Sequence, residues 1–155
     1  MLLVVALVTG ALATFAPPMA SGDDIAEVRA LAKGLVASGV AVGDRVGLMA
    51  RTRYEWTLAD YAIWFAGAVT VPVYETSSTE QVEWVLQDSG ARAVVAETSD
   101  HVARVTKVRG GLTELNHVWS ITDNAVDILT RLGHDITDEA LELRIHFPNC
   151  WNGKT

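Results

Sequence analysis

Short apolar runs rich in β-branched residues recur through the chain, at Arg45–Met49, Val69–Val73 and Ala93–Ala96. None of the three alternates cleanly between apolar and polar positions, which is typical of parallel strands covered on both faces. The segments between them are long enough to be crossover helices. A weaker run at Val118–Ile121 predicts a fourth strand. The pattern therefore predicts an α/β fold, with a parallel sheet of about four strands and flanking helices.

Apolar residues at three- and four-residue spacing predict the helices, and polar or glycine residues predict their ends. Thr52-Arg53-Tyr54-Glu55 has the spacing of a capping box and predicts a helix that starts at Arg53. Five other helices are predicted. The first is capped by Ser21, Asp23 or Asp24 and ends at Gly39, and the next is capped by Ser78 with Gln81, or by Thr79 alone, and ends at Gly90. A third is capped by Ser99 or Asp100 and ends at Gly110-Gly111, a fourth runs from about Asn124 to Leu132 and is ended by Gly133, and a fifth covers Asp138–Arg144 with Thr137 as its cap.

Two further expectations concern the middle of the chain. Pro72 lacks an amide hydrogen, so strand pairing should weaken near the end of the second strand. Trp56, Tyr61 and Trp64 lie at helical spacing with small and apolar residues. That spacing favours a core position for these aromatic side chains over a surface on which nucleic-acid bases stack.

The segment after the second strand is the best candidate for a ligand site. Tyr74, Glu75 and Thr76 stand at the carboxyl end of a predicted parallel strand and before a helix, where open α/β sheets place ligands. Simple capping by Ser78 is the alternative, and we favour it because no glycine lets a phosphate approach this backbone. The three residues are therefore predicted to be near a ligand only from their position, and no residue has the pattern of a catalytic group.

Composition limits the remaining functions. The net charge of −7 disfavours nucleic acid as a partner, because phosphate binding needs clustered lysine and arginine. Cys150 is the only cysteine, so an intrachain disulfide and a cysteine-based metal site are excluded. The four histidines lack the spacing of a zinc helix and are interpreted as solvated or core-edge residues. We predict no metal site.

The first 22 residues carry no charged side chain, and Leu2–Ala16 is an apolar run followed by a proline pair. A secretory signal is one interpretation, although no basic residue follows Met1. A buried or misassigned N-terminal segment is the other, and it is favoured. A spanning helix is disfavoured because the run ends well short of about 20 residues. We expect a cytoplasmic protein, with export or membrane association through residues 1–20 as the alternative.

Residues Gly43–Glu97, including the segment AGAVTVPVYETSS, resemble the N-terminal part of the adenylate-forming, or AMP-binding, superfamily. The branch that they resemble is the bacterial long-chain fatty acid–CoA ligases. A weaker similarity extends over much of the chain, so residues 23–144 are expected to form a partial AMP-binding domain, a partial N-terminal subdomain of such an enzyme. Residues 1–22 and the tail 145–155 do not match, and Gly153-Lys154-Thr155 is interpreted as a coincidence.

The resemblance implies a two-step reaction in the intact family. A fatty acid reacts with ATP to give acyl-adenylate, and coenzyme A then displaces AMP, with Mg²⁺ as a cofactor. The family's phosphate loop and its catalytic lysine have no counterpart in this sequence. The expectation is a truncated or frame-disrupted ligase that binds no cofactor, is inactive alone, and is marginally stable or self-associates through an exposed sheet edge. The alternative is a non-catalytic, exported binding or scaffold module.

Overall fold

The computed structural model describes residues 22–137 and confirms an α/β fold with a four-stranded parallel sheet. Helices and strands alternate along the chain. In order they are α1 (Gly22–Ala37), β1 (Arg45–Met49), α2 (Tyr54–Phe65), β2 (Val69–Pro72), α3 (Thr79–Ser89), β3 (Ala93–Ala96), α4 (Ser99–Val108), a 3₁₀ turn (Arg109–Gly111), β4 (His117–Ser120) and α5 (Ala125–Leu132).

The strands lie in the order β2-β1-β3-β4. The chain passes from β1 outward to β2 and then returns across β1 to β3, where Val46 is in register with Ala93. The point between β1 and β3 is therefore the topological switch point of the sheet. Open α/β sheets bind ligands in the crevice at the carboxyl ends of the strands there.

Two apolar layers cover the sheet. Helices α1, α2 and α5 pack on one face through buried residues such as Leu35, Ile63 and Leu129. Helices α3 and α4 pack on the other face through Leu86 and Val105. Successive residues of β3 point alternately into these two clusters, as the pleat of a strand requires.

The prediction that the central runs are covered on both faces holds for β1 and β3 and is wrong for β2. All four residues of β3 are buried, whereas Val69 of β2 is 51 % exposed. The reason is position, because β2 and β4 are the outer strands of the described sheet. The fourth strand starts one residue earlier than predicted, at His117. Self-association through an open edge stays a prediction.

The expected weakening of the ladder at Pro72 is also wrong. The amide of Val69 donates to the carbonyl of Asp44, just before β1, at 2.8 Å. The amide of Val73 donates to the carbonyl of Leu48, within β1, at 3.0 Å. Because amides alternate in direction along a strand, the nitrogen of Pro72 faces the outer edge. The proline therefore removes no donor from the β1–β2 ladder.

Helix boundaries follow the sequence with two exceptions. The predicted capping box at Thr52 does not form, because α2 starts one residue later with Arg53 as its N-cap and no side-chain cap bond. Helix α4 is capped by Thr98 and not by Ser99 or Asp100. The confirmed boundaries are the start of α1 near Asp23, the Ser78–Gln81 capping box, the left-handed glycines Gly39 and Gly90, and the limits of α5 at Asn124 and Gly133. The predicted helix Asp138–Arg144 lies outside the described residues.

The prediction that the aromatic residues of α2 are core is only partly correct. Trp56 and Tyr61 are half-buried against the apolar cluster that α1, α2 and α5 form on the sheet. Trp64 is 57 % exposed, and its ring contacts Tyr61 edge-on with 5.9 Å between the ring centroids. The side of α2 that faces the sheet carries Leu58, Ala59, Ala62 and Ile63. Trp64 lies outside this stripe, so helical spacing alone placed it wrongly.

Gly34 provides a test of the packing of α1 on α5. A methyl group at this buried position would collide with the backbone carbonyl of Leu129. Alanine in a helix interior normally stabilises by about 1 kcal/mol relative to glycine. We expect Gly34→Ala instead to lower the free energy of unfolding by about 1–3 kcal/mol, because overpacking moves the two helices apart. Urea unfolding of the full chain measures the change.

Gly110→Ala is the matched control, because a methyl group there meets no atom within 4 Å. This variant should change the free energy of unfolding by less than about 0.5 kcal/mol. An unchanged or higher stability for Gly34→Ala would contradict the close contact of α1 with α5.

Candidate functional site

A buried carboxylate occupies the switch-point crevice. Glu97 follows β3 directly, and its side chain is 1 % exposed. Its Oε2 accepts the backbone N–H of Arg51 at 2.9 Å, and its Oε1 accepts Nη2 of the Arg51 guanidinium at 2.7 Å. Nη1 of Arg53 donates to the same Oε1 at 3.2 Å. The carboxylate therefore joins the loop after β1 to the end of β3.

These hydrogen bonds decide the charge state of Glu97. The side-chain and backbone donors of Arg51 stabilise the ionised form and lower the pKa of Glu97 from its usual 4.5 to about 2, although burial opposes the shift. The same hydrogen bond raises the pKa of Arg51. The side chain of Arg51 is 67 % exposed, so water screens much of the Coulomb attraction and the hydrogen bonds carry the effect.

Arg53 extends the cluster to the start of α2. Its Nε and Nη2 donate to the two carboxylate oxygens of Glu55, at 2.5 and 2.7 Å. This pairing lowers the pKa of Glu55. It also explains the failed capping box, because a box at Thr52 needs Glu55 to turn back to the amide of Thr52. The guanidinium of Arg53 takes the carboxylate of Glu55 instead.

The segment Tyr74–Ser78 lies at the carboxyl end of β2, beside this cluster. Glu75 is close enough to contribute to the raised pKa of Arg51. The carbonyls of Glu75 and Ser77 accept Nη1 of Arg104, at 2.7 and 3.1 Å, which fastens the segment to α4. Tyr74 is 81 % exposed, and Thr76 is also exposed. Of the three predicted ligand-near residues, the fold thus brings Glu75 closest to charged partners.

Three amides at this edge, those of Ser77, Ser78 and Gln81, are bonded within the chain. Ser77 N donates to the carbonyl of Tyr74, and Ser78 N donates to Oε1 of Gln81 at 2.9 Å. The hydroxyl of Ser78 accepts from the amide of Gln81. The capping interpretation of this segment is confirmed, and these amides do not point at an anion.

The histidines do not form a site among the described residues. His101 is buried in the first turn of α4, His117 stacks on Trp119 with 5.1 Å between ring centroids, and His134 is exposed. These positions fit the interpretation as core-edge or solvated residues, and His146 lies outside the described range. Within residues 22–137 no three His, Cys, Asp or Glu side chains are grouped so that they could hold a metal ion.

The described residues do not fit ATP or Mg²⁺. A triphosphate needs a concave set of free backbone amides and a cation. The edge between β1 and β3 instead carries the Glu97 carboxylate, hydrogen-bonded to Arg51 and Arg53. In the described part of the chain, no helix is long and apolar enough to cross a membrane.

The parallel order β2-β1-β3-β4, with helices on both faces, defines a doubly wound α/β subdomain. Residues 25–142 match the family model of the AMP-binding enzymes. The chain therefore belongs to the AMP-binding enzyme family. This result confirms the family that Gly43–Glu97 predicted.

Relatives with assigned names are fatty acid ligases. The chain is 47 % identical over 122 residues to the long-chain-fatty-acid–CoA ligase FadD15 of Mycobacterium tuberculosis, which covers 77 % of this chain and 20 % of that protein. It is 33 % identical over 96 residues to the uncharacterized protein Rv1549 of the same organism, covering 62 % of this chain and 53 % of that protein. The chain thus spans about a fifth of the length of the ligase that it matches.

Solved structures agree with the fold. The anthranilate CoA ligase AuaEII in complex with anthranoyl-AMP superposes with a TM-score of 0.63 at 24 % identity, over 68 % of this chain and 20 % of that one. The long-chain-fatty-acid-CoA ligase FadD1 from Archaeoglobus fulgidus gives 0.60 at 23 % identity, over 66 % and 21 %. At this identity the likeness establishes the fold alone.

The Arg51–Glu97 contact was not predicted from the sequence. A usable signal was present, because a basic residue follows β1 and an acidic residue follows β3 at nearly the same distance. Carboxyl ends of neighbouring parallel strands meet at one edge of a sheet. The pair is recognisable only when β1 and β3 are known to be neighbours, and the sequences of these two strands do not determine the strand order.

Glu97→Gln tests the contribution of the carboxylate at the switch point. The amide keeps one acceptor for Arg51 but removes the charge, so we expect a loss of about 1.5–3 kcal/mol in the free energy of unfolding at pH 7. Chemical unfolding measures it. The surface variant Glu114→Gln is the control, because Glu114 is 56 % exposed and pairs with Arg92 at 3.3 Å. It should cost less than about 1 kcal/mol.

The pH dependence has a definite sign. The folded-state pKa of Glu97 lies below its unfolded value, so its contribution is complete above about pH 4.5 and is lost as pH falls toward 2. The stability difference between wild type and Glu97→Gln should therefore shrink over this range. A difference that stays constant from pH 6 to pH 3 would contradict the ionised, hydrogen-bonded carboxylate.

Proposed function

We propose that this chain is the N-terminal part of a long-chain fatty acid–CoA ligase, and that the chain alone is inactive. Support comes from the 47 % identity to FadD15 over 122 residues and from the match to the AMP-binding enzymes. In the intact enzyme a fatty acid carboxylate attacks the α-phosphate of ATP and releases pyrophosphate. The thiol of coenzyme A then attacks the acyl-adenylate and releases AMP.

One observation carries the proposal of inactivity. The crevice between β1 and β3 holds the side chain of Glu97 with Arg51, at 2.7 Å, where a free set of amides would be needed for phosphates. Opening it would leave a buried carboxylate without its partners, which costs several kcal/mol. Phosphate binding is therefore assigned to parts of the enzyme outside residues 22–137. In this proposal the chain serves as a folded support for the catalytic parts of the enzyme.

Tyr74, Glu75 and Thr76 are proposed to face the ligand site of the intact ligase. Arg104 on α4 donates to the carbonyl of Glu75, which holds the backbone of this segment against α4 while the ring of Tyr74 is exposed. An exposed aromatic ring on a fixed turn is suited to contact with an apolar ligand or with another part of the protein. No catalytic role is assigned to these residues.

ATP–pyrophosphate exchange tests the proposed inactivity. The purified 155-residue chain, incubated with palmitate, ATP and Mg²⁺, should exchange no labelled pyrophosphate above the background without protein. FadD15 assayed in parallel is the positive control. Exchange that requires palmitate and protein would overturn the proposal.

The same samples give a second readout that does not depend on turnover. ATP with Mg²⁺ should leave the melting temperature unchanged, because stabilisation by mass action requires a site on the folded chain. A rise of several degrees that saturates with ATP would contradict the assignment of phosphate binding to other parts of the enzyme, even if no exchange is seen.

A further inference from the structure

The two outer strands of the described sheet, β2 and β4, present different edges. In β2 the amides of Val69 and Val73 donate toward β1. Because amides alternate in direction along a strand, Thr70 and Pro72 face outward. Proline has no amide hydrogen, so the outer edge of β2 offers a donor at Thr70 and none at the next outward position. A proline at this place is one way in which natural sheets block pairing with another chain.

The outer edge of β4 lacks this protection. The amide of Ile121 donates inward to the carbonyl of Ala96 on β3, at 2.8 Å. By the same alternation, the amides of Val118 and Ser120 face away from β3. Within residues 22–137 no further strand lies on that side, because β4 ends the described sheet. The edge therefore carries two outward donors and no proline.

The sequence around β4 also lacks the charges that usually protect an outer strand. Residues 115–121 read LNHVWSI and include no charged residue, no proline and no glycine. Such segments pair readily with another strand. The chain as a whole carries a net charge of −7. Two copies therefore repel each other least where they meet through an uncharged segment of this kind.

Apolar side chains on both faces of β4 are only partly buried. Trp119 and Ile121 pack against the apolar cluster that α1, α2 and α5 form on the sheet. Val118 packs against the cluster on the opposite face. A two-fold axis perpendicular to the sheet keeps each face of a second copy on the same side. An antiparallel second copy of β4 would thus place the same apolar side chains beside those of the first and continue both layers.

We propose that two copies of this chain pair antiparallel through the outer edges of β4, and that assembly stops at this dimer. The contact uses the same strand of both copies, so it is closed by its own symmetry. The other outer strand cannot extend the assembly, because Pro72 interrupts its row of donors. The inference does not rest on the proposed ligase function.

Sedimentation velocity of the full chain over a range of concentrations tests the proposal. We expect a monomer–dimer equilibrium. Ser120→Lys places a charge on the β4 edge and should raise the dissociation constant by about tenfold or more. Val69→Lys is the matched control, because it adds the same charge to the exposed side of β2 and should leave dimerisation unchanged. A chain that is monomeric throughout, or two variants with equal effects, would overturn the proposal.

Hydrogen exchange at residue resolution identifies the edge and its occupant. The amides of Val118 and Ser120 should gain protection as the protein concentration rises, whereas that of Thr70 should not. The β3 amides, followed in the same samples, separate a loss of pairing from unfolding. Protection of Val118 and Ser120 that is independent of concentration would show that the chain covers its own edge, and this result would contradict the dimer.

Pro72→Thr tests why assembly stops at two. The variant restores an outward donor on β2 and gives each copy a second edge that can pair, so oligomers larger than a dimer should appear. Light scattering after size-exclusion chromatography measures their mass. A Pro72→Thr chain that stays dimeric, or a wild-type chain that forms larger oligomers, would contradict the role of this proline.

Discussion

The carboxylate of Glu97 is the contact on which the carboxyl edge of this fold depends. Burying an ionised carboxylate costs several kcal/mol unless donors replace its water. Here the backbone amide and the guanidinium of Arg51 replace it, and Arg53 adds a third donor. The contact holds β1 and β3 at their switch point and sets the path of the chain into α2. It also positions Arg53, which is the N-cap of α2 although its side chain makes no cap bond.

That contact also limits what this part of the molecule can do. A doubly wound sheet usually opens at its switch point to receive a ligand. In this chain Arg51 and Glu97 form an ion pair at the opening, and the amides of Ser78 and Gln81 at the start of α3 are used by a capping box. Membership of the AMP-binding family accounts for the fold, and the proposed division of labour assigns phosphate binding to other parts of the enzyme. The chain spans about a fifth of the length of the ligase that it matches.

Much of the fold could be predicted from the sequence because its signals are local. The apolar runs of β1 and β3, the Ser78–Gln81 box and the left-handed Gly90 each depend on a few adjacent residues. The failures came where the outcome depends on a distant partner. Trp64 has the spacing of a core residue but lies outside the stripe that the sheet covers. Thr52 has the spacing of a cap, but Arg53 competes for Glu55.

The candidate site also combines features that local sequence signals predict with features that depend on distant partners. Strand-end position was enough to single out Tyr74, Glu75 and Thr76. The Arg51–Glu97 pair required knowledge that β1 and β3 are neighbours, although 46 residues separate the two side chains. The fastening of the loop by Arg104 required the packing of α4 against it. Long-range pairing of this kind follows from topology, which periodicity and capping signals do not encode.

The most direct measurement is the titration of Glu97 itself, followed by the ¹³C shift of its carboxyl carbon in the folded chain. The structure predicts a pKa of about 2, with the carboxylate still ionised at about pH 3. A midpoint near the usual 4.5 would show a carboxylate without its arginine donors and an open switch-point crevice. That result would contradict the hydrogen-bonded, ionised state of Glu97 on which the account of this edge depends.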